Sequence, residues 1–264
     1  MDHDAVRALF DQQMRRDASP DGPGVRVERT GGVVRQVGAE NDWNGVVWSG
    51  LDQDTADAAI EEQVGYFASL GGEFEWKLYD HDRPADLGAR LAAAGFTPEP
   101  AETLMIAEAG ELPTGLALPE GVRLEPVTDP AGVDLVMDVH DQAFGTSSSR
   151  LRQQVLGRLT KSPDTVSVVL AMAGDVPVCA ARMELHPGTD FASLWGGGTV
   201  SAWRGRGIYR ALVSHRARIA TELGYRFLQV DASSQSRPIL ERLGFAALST
   251  TTPYAYQPGK SPAP

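Results

Sequence analysis

Val200-Ser201-Ala202-Trp203-Arg204-Gly205-Arg206-Gly207-Ile208-Tyr209 is the stretch on which the reading of the fold turns. Before it lies 191–200 (FASLWGGGTV), which reads as a strand. After it lies 208–223 (IYRALVSHRARIATEL), where Leu212, Ile219 and Leu223 recur near helical spacing. Gly224 is the expected helix stop. Glycines at such a turn allow close backbone approach, and a helix start offers unpaired N–H groups and about half a unit of positive charge. Arg204, Arg206, Arg210, Arg216 and Arg218 fall within 15 residues that hold no acid. The combination reads as an anion cradle suited to phosphate. The plainer alternative is a glycine turn followed by a solvated basic helix face. Two rival signatures fail. A Rossmann fingerprint needs a third glycine where Arg210 stands, and 258–261 (PGKS) imitates the end of a P-loop but has Tyr254 in place of the earlier glycine.

Outward from this turn the pattern continues as a strand at 225–230, a short helix at 236–243 ended by Gly244-Phe245, and a last strand at 246–256. The N-terminal half echoes that order. It reads as a strand at 45–48, a helix at 55–70 closed by Gly71-Gly72, and a strand at 73–79. A helix at 84–94 ended by Gly95-Phe96 and a strand at 103–107 follow. Two small α/β domains in tandem are therefore expected: 1–110, a Pro/Gly-punctuated linker at 111–121, and 122–256. Within the second, a strand at 122–126, helices at about 133–144 and 150–159, and a hairpin of 165–172 with 176–185 precede the decisive turn. Residues 257–264 read as a disordered tail.

The chain has 264 residues, 42% hydrophobic and 22% charged, which excludes collagen-like and wholly disordered classes. Its 35 acidic against 24 basic residues give a net charge of −11, so broad nucleic-acid binding is disfavoured. Cys179 is the single cysteine, which rules out an internal disulfide. The acidic start lacks a signal-peptide layout, and no apolar run approaches the ~20 residues of a membrane helix. A cytoplasmic protein is the expectation.

The string 200–208 resembles motif A of the GNAT superfamily of acyl-CoA-dependent N-acyltransferases, written [Arg/Gln]-x-x-Gly-x-[Gly/Ala]. Arg204 and Gly207 match it, and Tyr209 departs from the small final residue. Glu241-Arg242-Leu243-Gly244-Phe245 is similar to the family's motif B. The resemblance covers about 121–256. The N-terminal half is similar in layout, but its strand-to-helix turn, Ser49 to Asp54, carries Asp52 and Asp54 and no arginine. The chain thus resembles tandem GNAT proteins with a degenerate first half.

The resemblance implies a mixed, mostly antiparallel sheet and acetyl-CoA as co-substrate. Thr199, Val200, Arg204, Gly205, Arg206, Gly207, Ile208, Tyr209 and Arg210 would bind that cofactor, its pyrophosphate on the N–H groups of 206–210. Its pantetheine would lie between two strands splayed at a bulge. Gly196 to Gly198 would sit where thioester and acceptor meet, or else form a plain bulge packed against a bulky neighbour. The implied reaction is direct transfer of an acetyl group to a primary amine of a small molecule, with another acyl-CoA donor or a non-catalytic CoA sensor as alternatives.

Direct transfer needs a base, and a proton donor assists the leaving thiolate. The family's motif B tyrosine is replaced here by Leu240, and the strand 191–200 has no acid, Ser193 being its closest polar match. Glu184 is the candidate base and Tyr254 the candidate acid. Asp231, Tyr256, His140 and Asp141 are weighed beside them, each with a packing or capping role as the alternative. His81 between Asp80 and Asp82 lacks a further ligand at metal-site spacing, so no metal is expected.

Overall fold

The computed structural model describes residues 1–39, 42–145 and 148–258. The chain divides into two compact units. The first comprises Met1–Leu104, Asp231–Ser234 and the chain from Ala247 onward; the second comprises Met105–Val230 and Gln235–Ala246.

In the first unit, α1 (His3–Phe10) is capped by Asp2, whose carboxylate accepts the Ala5 N–H, and runs into a wider π-type turn, Asp11–Arg16. Strands β1 (Arg26–Thr30), β2 (Val33–Val37) and β3 (Gly45–Ser49) are antiparallel neighbours in that order. Helix α2 (Ala56–Ser69) carries the chain to β4 (Phe74–Tyr79), which pairs parallel with β3. Helix α3 (Leu87–Ala93), the short β5 (Thr97–Pro98) and the start of β6 (Glu102–Glu108) follow. The apolar faces of β2, β3, β4, α2 and α3 bury Val33, Val46, Ile60, Phe67, Trp76, Leu87 and Leu91 in one core.

The second unit begins within β6. Strand β7 (Val122–Pro126) leads to α4 (Pro130–Phe144), which opens with the Asp129 carboxylate accepting the Gly132 N–H at 2.8 Å and closes on Gly145. Helix α5 (Ser149–Lys161), β8 (Val166–Ala173), β9 (Val176–Leu185) and β10 (Phe191–Thr199) follow. Then come α6 (Ile208–Glu222), β11 (Phe227–Ala232) and α7 (Arg237–Leu243). The strand order is β11-β10-β9-β8-β7, all pairs antiparallel except β10 with β11. The core under α4 and α6 is built from Val133, Val139, Leu170, Val178, Ile208 and Leu212.

The expected division at 111–121 needs correction at two places. Strand β12 (Ala246–Tyr256) pairs with β4 from Thr251↔Tyr79 to Tyr256↔Phe74, so nearly all of it counts with the first unit. Leu112, expected in a linker, is buried in the second unit, where the Ala109 N–H bonds to Arg226 O. Of the expected tail, 259–264 lies outside the described residues.

Candidate active site

Strands β10 and β11 pair in parallel at Phe191↔Phe227, Ala192↔Leu228 and Ser193↔Gln229, and nowhere further along β10. The side of β10 beyond Ser193 that faced β11 is therefore an open strand edge. On its other side β10 bulges against β9 between Trp195 and Gly198. A Cβ at Gly197 would lie 2.6 Å from Cε2 of Tyr209, and one at Gly198 would lie 2.8 Å from Phe144 and 2.9 Å from Ala143. Gly197 and Gly198 are thus packed against bulky neighbours, as in the plainer reading of 196–198, whereas nothing lies within 4 Å of where a Cβ at Gly196 would stand.

Gly207 holds φ at +82°, which an L side chain avoids, and ends the turn directly before α6. No side chain caps that helix. Among the described residues the N–H groups of Gly205 to Arg210 have no acceptor, and nothing lies within 4 Å of where a Cβ at Gly205 or Gly207 would stand. Of the five arginines, Arg206 stacks on Trp203 at 4.4 Å and Arg210 is exposed beside the turn. Arg204 instead ties the turn down, donating to Thr199 O and Ala143 O at 3.0 Å each. Arg216 is buried, bonding to Leu212 O and Arg182 O, and Arg218 pairs with Glu222. Val200 N–H bonds to Val178 O, and Thr199 Oγ1 meets Cys179 Sγ at 3.0 Å. Burial pushes the Cys179 thiol up to about 11.

The first unit has the same parallel pair with different contents. β3 and β4 pair only at Gly45↔Glu75 and Val46↔Trp76. Just past that point the Arg15 guanidinium donates to Val47 O at 3.1 Å and to both oxygens of Asp82 at 2.9 and 2.7 Å. It also lies 4.0 Å over the Tyr79 ring, and its side chain is 3% exposed. The start of α2 is filled as well. Asp52 Oδ1 accepts the N–H groups of Asp54 and Thr55 and the Thr55 hydroxyl, which holds its carboxyl below the usual range. An acid of the turn itself thus takes the place that an anion would fill.

The catalytic candidates separate. Glu184 is buried with its oxygens 3.0 Å from Arg182 Nε and 3.5 Å from Arg158 Nη1, so its carboxylate is committed to two guanidinium groups. Tyr254 belongs to the first unit, where its hydroxyl packs against Gly88 of α3, 2.6 Å from the place a Cβ would take. That is a packing contact, with no hydrogen bond to orient a proton. Tyr256 packs on Phe74 and Phe96 in the same core, and Asp231 pairs with Lys77. His81 bonds to Asp11 and Ser249, and no metal-holding cluster exists among the described residues.

His140 is better placed. It lines a cavity of about 20 Å3 with Met137, Val155, Ala181, Arg182 and Gly196. Burial, reinforced by Arg182 and opposed by Asp141, lowers its pKa, favouring neutral imidazole. At the base of the splay Ser193 Oγ accepts from Gln229 Nε2 at 2.6 Å and meets His186 Nε2 at 2.7 Å. Sequence reasoning passed over His186, whose only signal is a histidine in the loop that leads into β10, the strand before the turn. Tyr209, expected only as a cofactor contact, brings a phenol to the bulge. Burial raises its pKa against the pull of Arg216.

No protein-family model matches the chain, and no curated protein matches it by sequence. Solved structures match it in fold. A GCN5-related N-acetyltransferase from Kribbella flavida is 19% identical with a TM-score of 0.71, over 97% of this chain and 95% of that one. A functionally unknown conserved protein from Staphylococcus epidermidis ATCC 12228 is 13% identical with a TM-score of 0.67, over 92% and 96%. A tandem GNAT protein from the clavulanic acid biosynthesis pathway is 13% identical with a TM-score of 0.60, over 92% and 86%. These likenesses establish the GNAT-like fold. Among the described residues no helix is long and apolar enough to cross a membrane.

Proposed function

We propose that the second unit is an acyl-CoA-dependent N-acyltransferase that moves an acetyl group to a primary amine of a small molecule, and that the first unit is a degenerate copy. The observation that carries this reading is the open start of α6. Its N–H groups are unpartnered beside two open glycines, whereas the start of α2 is occupied by Asp52. The residues present fit the cofactor. The N–H groups of 205–210 and the charge of Arg206 and Arg210 suit a diphosphate. The open edge of β10 beyond Ser193 offers backbone groups to an extended amide chain. Acetyl-CoA supplies the activated thioester.

The chain's own residues supply the rest. Arg204 fixes the cradle through two backbone carbonyls. His140, neutral through burial, accepts the proton of the acceptor's ammonium. Tyr209, whose proton burial retains, donates to the leaving sulfur in place of the family's motif B tyrosine, since Leu240 is buried and has no proton to give. That Leu240 is also the observation favouring a non-catalytic CoA-binding role.

Calorimetry with acetyl-CoA tests the reading. One site per chain is expected, and Gly207→Glu, which puts bulk and negative charge into the cradle, abolishes binding while the circular-dichroism spectrum is kept. Two equivalent sites, or unchanged affinity in the variant, would overturn it. Amine-dependent release of CoA across an amine panel separates enzyme from sensor.

A further inference from the structure

Arg182 on β9 holds more hydrogen-bond donors than it finds acceptors for. Its side chain is 16% exposed, and Glu184 Oε1 lies 3.0 Å from its Nε. That contact is an ion pair set off the N–H direction, so Nε is buried with no hydrogen-bond partner. Among the described residues the Arg182 guanidinium makes no hydrogen bond at all. Glu184 neutralises it only in part, because Arg158 Nη1 stands 3.5 Å from the other oxygen of the same carboxylate. Two guanidinium groups thus share one negative charge. A guanidinium carries five N–H donors in a planar fork that matches a carboxylate, and buried donors without acceptors cost free energy.

This fork lines the cavity of about 20 Å3 that His140 and Gly196 also line. Gly196 is exposed, with open space where a Cβ would stand, and marks the open side of the cavity. Trp195, exposed on β10, is the cross-strand partner of Arg182, whose guanidinium lies 6.0 Å from its ring. The remaining walls are apolar, with Met137, Val155 and Val168 among them. A space of this size takes one or two groups as large as a water molecule or a methyl. The cavity therefore combines an imidazole that accepts the proton of an ammonium, a fork that suits a carboxylate, and a short apolar recess. Because His140 and Arg182 line one small space, the amine and the carboxylate of a single ligand would have to lie close together.

We propose that the acceptor is a small α-amino acid, its carboxylate held by Arg182 and its methyl or ethyl side chain in the apolar recess. This rests on the reading of the second unit as an acyltransferase and names the class of its substrate. The transfer forms one N–C bond and breaks the C–S bond. Of the two protons that the ammonium sheds, one ends on the thiol of CoA and one passes through His140 to solvent. The test is CoA release from acetyl-CoA by the full chain, with L-2-aminobutyrate set against L-2-aminobutanamide and L-phenylalanine. The amino acid should show a kcat/KM about tenfold or more above that of its amide, and bulky phenylalanine should fall below it too. Arg182→Met should erase the preference for the acid, and Arg182→Lys, which keeps the charge and loses the fork, should retain part of it. The comparison of acid with amide uses the unaltered protein, so it decides the matter even if a variant fails to fold. Equal rates with acid and amide, or a preference that survives Arg182→Met, would overturn this assignment and leave acyl transfer standing. Release with the amide from succinyl-CoA, exceeding that with the acid from acetyl-CoA, would put the carboxylate on the donor and overturn it as well. No release with any amine would overturn the acyltransferase reading itself, and this one with it.

Discussion

Replacing Gly197 by alanine tests the packing at the bulge directly. The new methyl would stand 2.6 Å from Cε2, 3.3 Å from Cδ2 and 3.7 Å from Cζ of Tyr209. Carbon atoms at rest sit about 3.5–4.0 Å apart, so the overlap is roughly 1 Å. The ring, held against the sheet by α6, must shift. Overpacking of this kind costs about 1–3 kcal/mol. Alanine also recovers roughly 0.5–1 kcal/mol of backbone entropy relative to glycine in a strand, so a net loss of about 1–2 kcal/mol is expected. Tyr209→Ala alone removes a largely buried ring and costs about 2–4 kcal/mol. In the double variant the methyl enters vacated space. Its cost should vanish, making the pair at least about 1 kcal/mol less damaging than the sum of the singles. Urea unfolding of the four proteins, read at constant m-value, supplies the cycle. A neutral Gly197→Ala, or additivity within about 0.5 kcal/mol, would refute the reasoning.

Removing one partner of the buried Arg15–Asp82 pair, by Arg15→Met or Asp82→Ala, should lower stability by about 3–5 kcal/mol, whereas Arg15→Met with Asp82→Leu should cost much less than the sum; denaturant midpoints decide. Glu102 has a folded pKa of about 7, above its ordinary 4.5, under the influence of burial, Asp231, Lys77, Glu75 and Glu99. The folded chain then binds the extra proton, so stability contributed below pH 4.5 is lost as pH rises towards 7. Glu102→Gln should match the parent near pH 4 and exceed it above pH 7, and a difference independent of pH would count against that account.

What the sequence made legible was local. The turn at 204–210 and the helix it opens are written in neighbouring residues, and glycines bound most of the second unit's elements within a residue or two. The filling of the first unit's pair by Arg15 was not legible. Its partners Val47 and Asp82 lie 32 and 67 positions away, and a lone arginine in an amphipathic N-terminal segment carries no mark of its destination. The surroundings of Glu184 and Tyr254 were not legible for the same reason. Alternation places a residue on a strand face, but only tertiary packing reveals two arginines across the way or a glycine beneath the hydroxyl. The N-terminal elements α1, β1 and β2 went unassigned because no glycine-closed helix marks residues 1–44, although β1 and β2 stand before β3 as β8 and β9 stand before β10.

The first unit is discontinuous in the chain, and that sets an order of events during synthesis. Its residues up to Leu104 leave the ribosome about 140 positions before β12, the strand that lies along β4. At ordinary elongation rates the interval is on the order of 10–30 s. Through that time β4 has no neighbour on the side where β12 belongs and offers an open edge to any other strand in reach. The second unit lacks only Gln235–Ala246 of its own sequence when β11 is made, so it is nearly complete while the first still waits. A nascent chain stalled before residue 246 would therefore expose the N-terminal half, and not the part being translated, to aggregation and proteolysis.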